Sequence, residues 1–176
     1  MVKLQDFTID FDCTGQTPFF QVHQDNRIRF IIDKLTIADL KLIIHQVFNE
    51  GKDINAIFIS EYIFNGRRKS AKSKVGQVIY LKNWKEHVVL EDDTNDGIVY
   101  ATIKNVDPVD VYNYCLIARK GLSTAYISFY SDEYLLYVST DVIDIISNEG
   151  TNIAKLKDNY KNLYDTFHEG NENTYC

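Results

Sequence analysis

The feature that most constrains the fold is a series of short apolar segments joined by short loops. Strand-forming residues, alternating in part, occupy 2–11, 27–33, 54–64, 77–81, 87–90, 98–103, 124–130 and 134–138. Strands that follow one another across short loops pair antiparallel, because a parallel pair needs a crossover of about a dozen residues or more. Asp96-Gly97 is a strong turn signal between two of these segments. The pattern therefore predicts a mostly antiparallel sheet.

Three segments have the patterns of helices. In 36–51, apolar residues recur at helical spacing behind a capping residue, Thr36. In 107–121, Asp107 precedes a proline at the first helical position, and a glycine follows the last basic residues. A closing helix with an apolar stripe is expected from Thr151 to Phe167.

The fold class that follows is α+β, a single domain with about three helices packed on the sheet. We expect this domain to span 1–168 and the acidic residues 169–176 to form a disordered tail. The segment 140–146 fits either a short helical turn or a further strand, and the sequence leaves both open.

Composition limits the function classes. The chain has 176 residues, 45% of them hydrophobic, and a formal net charge of -6. This charge argues against general nucleic-acid binding, because phosphates require a positive contact face. With no secretory signal pattern and three widely spaced cysteines, Cys13, Cys115 and Cys176, we expect a cytoplasmic protein with free thiols. The abundance of Lys, Ile, Asn, Asp and Tyr suggests a bacterial or phage gene of low GC content.

The motifs of common catalytic and metal sites do not occur. The four histidines are far apart, so no zinc site is expected. The segment 92–97 begins like an EF-hand loop, but the twelfth position is Ile103, where calcium requires a carboxylate. No glycine-rich phosphate motif is present. Asp141 and Asp144 would share a face if their segment were helical, as acid–base pairs can, although capping and a solvated face explain them equally well. We expect neither a metal, a cofactor nor enzymatic activity.

The basic segment 66–74, GRRKSAKSK, contrasts with the acidic chain. Its predicted position is a solvated loop where the chain reverses between two apolar strands. The alternative is a contact with nucleic acid or with an acidic partner. A nucleic-acid contact needs stacking aromatics between the cations, and the segment contains none, although aromatic residues flank it. The candidate residues are Arg67, Arg68, Lys69, Lys72 and Lys74.

Tyrosines and carboxylates suggest a surface that binds another protein. The chain has twelve tyrosines, which are enriched at interface hot spots, although tyrosine also fills cores. Acidic clusters next to them favour a partner with a basic surface. The predicted partner-binding residues are Glu91, Asp92, Asp93, Asp132, Glu133 and Tyr134.

The order of several short motifs resembles that of a known class of proteins. The motifs are Arg27-Ile-Arg-Phe30 before a helix ending Val47-Phe48, then Ile127-Ser-Phe-Tyr130, Leu135-Leu-Tyr-Val138, Asp144-Ile-Ile146 and a helix with Leu163-Tyr164. This arrangement, which spans most of the chain, is similar to small bacterial immunity-type proteins of uncharacterised families. Those proteins often carry Asp-Asp-Arg-Gly where this chain has Ser139-Thr-Asp-Val142, so no role of that turn is carried over.

The resemblance implies an intracellular protein that neutralises a toxin, often a nuclease, by binding it. The sequence therefore predicts a non-enzymatic acidic inhibitor of another protein, of the immunity or antitoxin type. The alternatives are a phage-encoded inhibitor of a host defence nuclease and a nucleic-acid-contacting module that uses the 66–74 segment.

Overall fold

The computed structural model describes residues 2–4, 7–9, 17–49, 53–81, 83–91, 94–122 and 126–169. Its strands are β1 (Val2–Leu4), β2 (Phe7–Ile9), β3 (Arg27–Ile31), β4 (Asn55–Phe64), β5 (Arg67–Ser70), β6 (Lys85–Leu90), β7 (Gly97–Ile103), β8 (Ile127–Tyr130), β9 (Tyr134–Val138) and β10 (Val142–Ser147). Its α-helices are α1 (Ile37–Val47), α2 (Pro108–Arg119) and α3 (Gly150–Asn159).

Eight of the strands form one sheet in the order β3-β10-β9-β8-β4-β7-β6, with β5 paired to β4 beside this path. Every strand pair is antiparallel. The predicted α+β class, with a large antiparallel sheet and three helices, is confirmed. Strands β1 and β2 form a separate two-stranded sheet.

Strand β4 pairs with three other strands and joins the two halves of the sheet. Its first four residues, Asn55–Phe58, pair with β8, and on the same side its last four, Glu61–Phe64, pair with β5. Along its other side β4 pairs with β7, with a register shift between Ile59 and Glu61. This bulge lies where β8 ends and β5 takes over, and bulges of this kind increase the local twist of a strand.

Both faces of the sheet bury apolar residues. On one face, Phe58 and Phe129 pack with residues of all three helices in the larger core cluster. On the other, Tyr100 and Leu135 pack with Ile9 of β2 in a smaller cluster. The alternating pattern of the strands supplies both sets, since successive side chains point to opposite faces.

The two predicted helix starts are confirmed. Thr36 Oγ1 accepts a hydrogen bond from the N–H of Asp39 at 3.1 Å, and the Asp39 carboxylate accepts one from the N–H of Thr36 at 3.0 Å. Bonds from the Thr36 side chain and backbone lower the pKa of Asp39. Asp107 caps α2 by accepting a bond from the N–H of Val109 at 2.8 Å, with Pro108 as the first helical residue. Local sequence chemistry determines both termini.

Two of the predicted strands are wrong. The segment 2–11 is not one strand: β1 and β2 pair with each other, with Val2 opposite Ile9. The segment 77–81 forms no strand, and a short 3₁₀ turn, Val75–Gln77, leads into it instead. Val75 and Ile79 are buried, so these apolar residues pack into the core without joining the ladder. The basic segment also folds differently from its prediction, as described below.

The C-terminal third differs from the prediction in two further ways. The undecided segment forms strand β10, and α3 ends at Asn159 instead of continuing to Phe167. Beyond the helix, Tyr164 bridges to Phe30, and the N–H of Asp165 donates to the carbonyl of Arg29 at 2.8 Å. The chain therefore leaves the helix to cover the outer edge of β3, whose backbone groups would otherwise be unpaired.

Glu169, the first residue of the tail predicted to be disordered, forms a salt bridge with Lys157 at 2.9 Å. The predicted disorder of 170–176 lies outside the described residues. Within the described part of the chain, no helix has the length and apolar character needed to cross a bilayer.

Candidate functional site

The most exposed part of the sheet is formed by residues 61–90, which we call the sheet extension. It contains the second half of β4, strands β5 and β6, and the segment that joins them. All four residues of β5 are exposed, as are all residues of β6 except the half-buried Val89. Most side chains of β5 and β6 are therefore accessible to solvent.

Large apolar side chains are concentrated on the sheet extension. Six of the twelve exposed large hydrophobic residues in the described part of the chain lie there, although it is about a sixth of the sequence. They are Phe64, Tyr80, Leu81, Trp84, Val88 and Leu90. Contiguous exposed apolar patches are typical of interaction sites, whereas apolar residues scattered singly over a surface are ordinary.

Strand β6 is an edge of the sheet. It pairs with β7 from Lys85 opposite Thr102 to Leu90 opposite Gly97, and no other described strand pairs with it. Val88 is 41% exposed and Leu90 59%. A Cβ atom on Gly97 would lie 2.3 Å from the carbonyl oxygen of Val89, so only glycine allows this close hairpin.

The predicted acidic residue Glu91 follows directly on this edge. It is exposed, and its N–H donates to the carbonyl of Asp96 at 3.0 Å, which closes the β6–β7 loop. Asp92 and Asp93 lie outside the described residues. Glu91 therefore extends the exposed edge by one residue beyond Leu90, and we call Val88, Leu90 and Glu91 the β6 edge surface.

The other predicted acidic residues lie at the opposite end of the sheet. Asp132 and Glu133 form the turn after Tyr130, which pairs with Asn55, whereas the β6–β7 loop adjoins Ile63. The distance along β4 between these ends is roughly 26 Å at about 3.3 Å per residue. The two acidic clusters are therefore not one patch.

Tyr134 was predicted as a contact residue, but its side chain is only 6% exposed. It belongs to the larger core cluster, and all five residues of strand β9 are buried. Tyr100, Tyr114 and Tyr137 are buried as well, so much of the tyrosine enrichment fills the core.

The basic segment is a strand for half its length and not the predicted loop. Asn65 and Gly66, with φ of 50° and 72°, form the turn, and Arg67–Ser70 pairs with β4 as β5. Positive φ at both central residues is typical of a tight hairpin turn. The sequence did not predict this strand, because all four residues of Arg67–Ser70 are polar and no apolar residues alternate with them.

Pairing divides the five predicted cations between two faces. Arg68 donates to Glu86 at 2.9 Å and to Glu61 at 3.3 Å on one face. Lys69 lies on the other, with its Nζ 5.4 Å from the centre of the Phe64 ring. Lys72 and Lys74 follow β5 and line a groove on the Arg68 face.

Charge is strongly segregated along the chain. The sheet extension has seven Lys or Arg and two Glu, a formal charge of +5. The remaining residues contain twelve basic and 23 acidic side chains, a formal charge of -11. The net charge of -6 therefore hides a basic extension on an acidic body, and general arguments from net charge do not apply to this surface.

The polar cluster that the sequence did not reveal is buried on β3 and β10. Arg29 donates to both carboxylate oxygens of Asp144, at 2.6 Å and 2.8 Å, and the Asp144 side chain has no exposed surface. Burial raises the pKa of Asp144, while the bonds from Arg29 act in the opposite direction. Asp141 is exposed in the preceding turn, so the two carboxylates do not form an acid–base pair.

Among the described residues, the remaining reactive groups include one cysteine, Cys115. Cys115 is fully buried in α2, and burial raises the pKa of its thiol, which opposes thiolate formation. Within the described ranges, no three His, Cys, Asp or Glu side chains come together as a metal site requires.

Comparison with known proteins gives no match to a protein-family model, a curated protein or a solved structure. Function is therefore argued from the geometry.

Proposed function

We propose that this chain is a non-enzymatic protein that binds and inhibits another protein, in the manner of bacterial immunity proteins and antitoxins. The observation that carries the proposal is the β6 edge surface, an exposed sheet edge on which Val88 and Leu90 are exposed and which the exposed Glu91 follows. A phage-encoded inhibitor of a host nuclease would use the same surface.

The edge of β6 is suited to adding a strand from a partner. Exposed edges present unpaired N–H and C=O groups, and proteins usually protect them with charge or cover them. Strand β5 carries Arg67, Arg68 and Lys69, and β3 is covered by the segment after α3. The second half of β6 has neither protection, and its backbone and apolar side chains favour a bound strand.

Charge determines the kind of partner. The acidic loop at the end of β6 contains Glu91, Asp92, Asp93 and Asp96. Carboxylates at the margin of an apolar contact accelerate association with a basic surface and disfavour acidic partners. The nucleic-acid-binding surface of a nuclease has this positive charge.

The experiment is an affinity capture from lysate of the native host, treated with nuclease, using the tagged chain and two matched double variants. Val88→Gln/Leu90→Gln removes apolar contacts from the β6 edge surface. Ile37→Gln/Leu42→Gln removes residues of similar exposure, 56% and 60%, from α1. We expect one stoichiometric protein to bind the wild type and the α1 variant, and its purified activity to be inhibited. The affinity of the β6 variant should fall at least about tenfold, as for hot-spot residues.

Equal capture by both variants would exclude the β6 edge, and capture without inhibition would exclude an inhibitor. The absence of any stoichiometric protein would count against the proposal as a whole.

Reversing the acidic loop should affect the association rate. For Glu91→Lys/Asp92→Lys/Asp93→Lys, we expect association at low salt to slow by about tenfold or more, and its salt dependence to weaken. Stopped-flow or biosensor kinetics against the captured partner measures this rate. The control is Asp132→Lys/Glu133→Lys, at the opposite end of the sheet, which should stay within about twofold. Equal slowing by both variants would mean that the overall acidic charge, and not this loop, attracts the partner.

A further inference from the structure

We propose that the groove between β5 and the start of β6 binds a phosphate group joined to a planar ring, as in a nucleoside phosphate. We call it the lysine groove. Phe58, Lys72, Lys74 and Trp84 line it, and Arg68 donates to its two carboxylates. It is independent of the β6 edge surface, so the two proposals can fail separately.

The size and walls of the groove fit a small ligand. Its volume is about 370 Å³, within the range of about 300–1,000 Å³ usual for small-molecule sites. The rings of Phe58 and Trp84 meet edge to face, with centroids 5.7 Å apart, and Trp84 stays 43% exposed. This leaves an indole surface in the groove against which a planar ring can stack.

Two lysines are held at the groove by an unusual backbone conformation. Lys72 and Lys74 have φ of 53° and 54°, in the left-handed region that glycine and asparagine adopt more readily than lysine. The N–H of Lys72 donates to Ser70 Oγ at 3.1 Å, which supports this conformation. Strained residues of this kind cluster at ligand sites, where the surrounding structure maintains them.

The charge of the groove favours an anion. Its two carboxylates, Glu61 and Glu86, both accept hydrogen bonds from Arg68. Arg68 and these two carboxylates carry a formal charge of -1, and Lys72 and Lys74 bring the group to +1, in a region whose formal charge is positive. Lysine ammonium groups bind phosphate as point charges, and the hydroxyls of Ser70 and Ser73 line the same wall.

The ligand is therefore defined by two features together, a phosphate for the lysines and a ring for Trp84. A free mononucleotide has both, and so does the terminal nucleotide of a single strand, where stacking and phosphate contacts combine in the same way.

The test is calorimetric titration of the full chain with adenosine 5′-monophosphate, adenosine, inorganic phosphate, and a five-nucleotide DNA with or without a 5′-phosphate. We expect the monophosphate to bind with a dissociation constant on the order of 0.1–1 mM, and adenosine or phosphate alone at least about tenfold more weakly. Tighter binding of the phosphorylated oligonucleotide than of the monophosphate would identify the end of a strand as the ligand. Tighter binding of the monophosphate would identify a free nucleotide.

Variants assign the binding to the groove. Lys72→Asn/Lys74→Asn removes both charges while retaining residues that tolerate positive φ. Trp84→Leu removes the ring. Each should weaken the binding of the monophosphate by about tenfold or more. The affinity of Lys69→Gln, on the opposite face of β5, should stay within about twofold of the wild type.

A chain that binds none of the probes at concentrations near 10 mM, where such sites saturate, would overturn the proposal. So would binding that Lys69→Gln weakens as much as the groove variants do, because the charge of the whole extension would then explain it. Circular dichroism of each variant confirms that the comparison is between folded proteins.

Discussion

Asp144→Ala is expected to destabilise the protein by about 3–5 kcal/mol, because it leaves the guanidinium of Arg29 buried without its counter-charge. The two side chains face each other on β3 and β10, where Asp144 pairs with Arg29 across the ladder. The Arg29 side chain is only 10% exposed, so water cannot replace the lost carboxylate. Urea unfolding of the variant and the wild type measures the loss as a shift of the midpoint.

The surroundings of Arg29 explain why it cannot move out to solvent. Its guanidinium carbon lies 4.1 Å from the centre of the Phe19 ring, and Phe19 itself is buried. The neighbouring Arg27 donates to the carbonyl of Phe19 at 2.9 Å. The 3₁₀ segment Pro18–Gln21 therefore covers both arginines, and the segment has to unfold before Arg29 reaches water.

The control for this prediction replaces both partners. Arg29→Met/Asp144→Leu removes both charges and keeps similar volumes, so its stability should lie within about 1–2 kcal/mol of the wild type or above it. A loss in the double variant as large as that of Asp144→Ala would contradict the argument, since packing and not an unpaired charge would then be responsible. Far-UV circular dichroism before unfolding establishes that both variants start from the native fold.

The elements that the sequence predicted correctly are those with local signals. Helix α2 follows from Asp107 and Pro108, whose capping chemistry acts within a few residues. The hairpin of β8 and β9 follows from alternation across a short turn. Strand β5 was missed because Arg67–Ser70 pairs through its backbone, and its charged side chains give no strand signal.

The parts of the candidate site that were missed depend on contacts distant in sequence. Arg29 and Asp144 are 115 residues apart, and their pairing follows only from the sheet order. The sequence gives the charge of the clusters around Glu91 and Asp132 but not their relative position, whereas the register of β4 places Glu91 and Asp132 at opposite ends. The lysine groove was missed because its lysines are held by backbone conformation, and no glycine-rich motif signals it.

Different parts of the sheet form the core and the proposed binding surfaces. The helices pack over the face that contains Phe129, where β8 pairs with the first half of β4. The exposed surfaces lie beyond this region, on β5, β6 and the second half of β4. Phe58, Val75 and Ile79 belong to both regions, but Val88, Leu90 and the two lysines of the groove do not belong to the core cluster. A change in the core should therefore alter stability more than binding.

Phe129→Ala is the sharpest test of that separation, with an expected loss of about 3–5 kcal/mol from the cavity it creates. Phe129 has no exposed surface, and its ring meets Tyr114 of α2 edge to face with centroids 5.7 Å apart. The alanine variant loses this contact between α2 and the sheet. Thermal and urea unfolding measure the loss, and Phe129→Leu, which fills more of the cavity, should lose less.

The same variant should keep its binding surfaces. At a temperature where Phe129→Ala remains folded, its affinities for the captured partner and for adenosine 5′-monophosphate should lie within about twofold of the wild type, because Phe129 contacts neither surface. A loss of both affinities in folded protein would show that the sheet extension depends on the helix-covered core, and the separation would be wrong. Retained affinity with lowered stability would mean that a change in the core does not alter the geometry of the sheet extension. The pairing of β4 with β5 and β7 would then be sufficient to maintain that geometry.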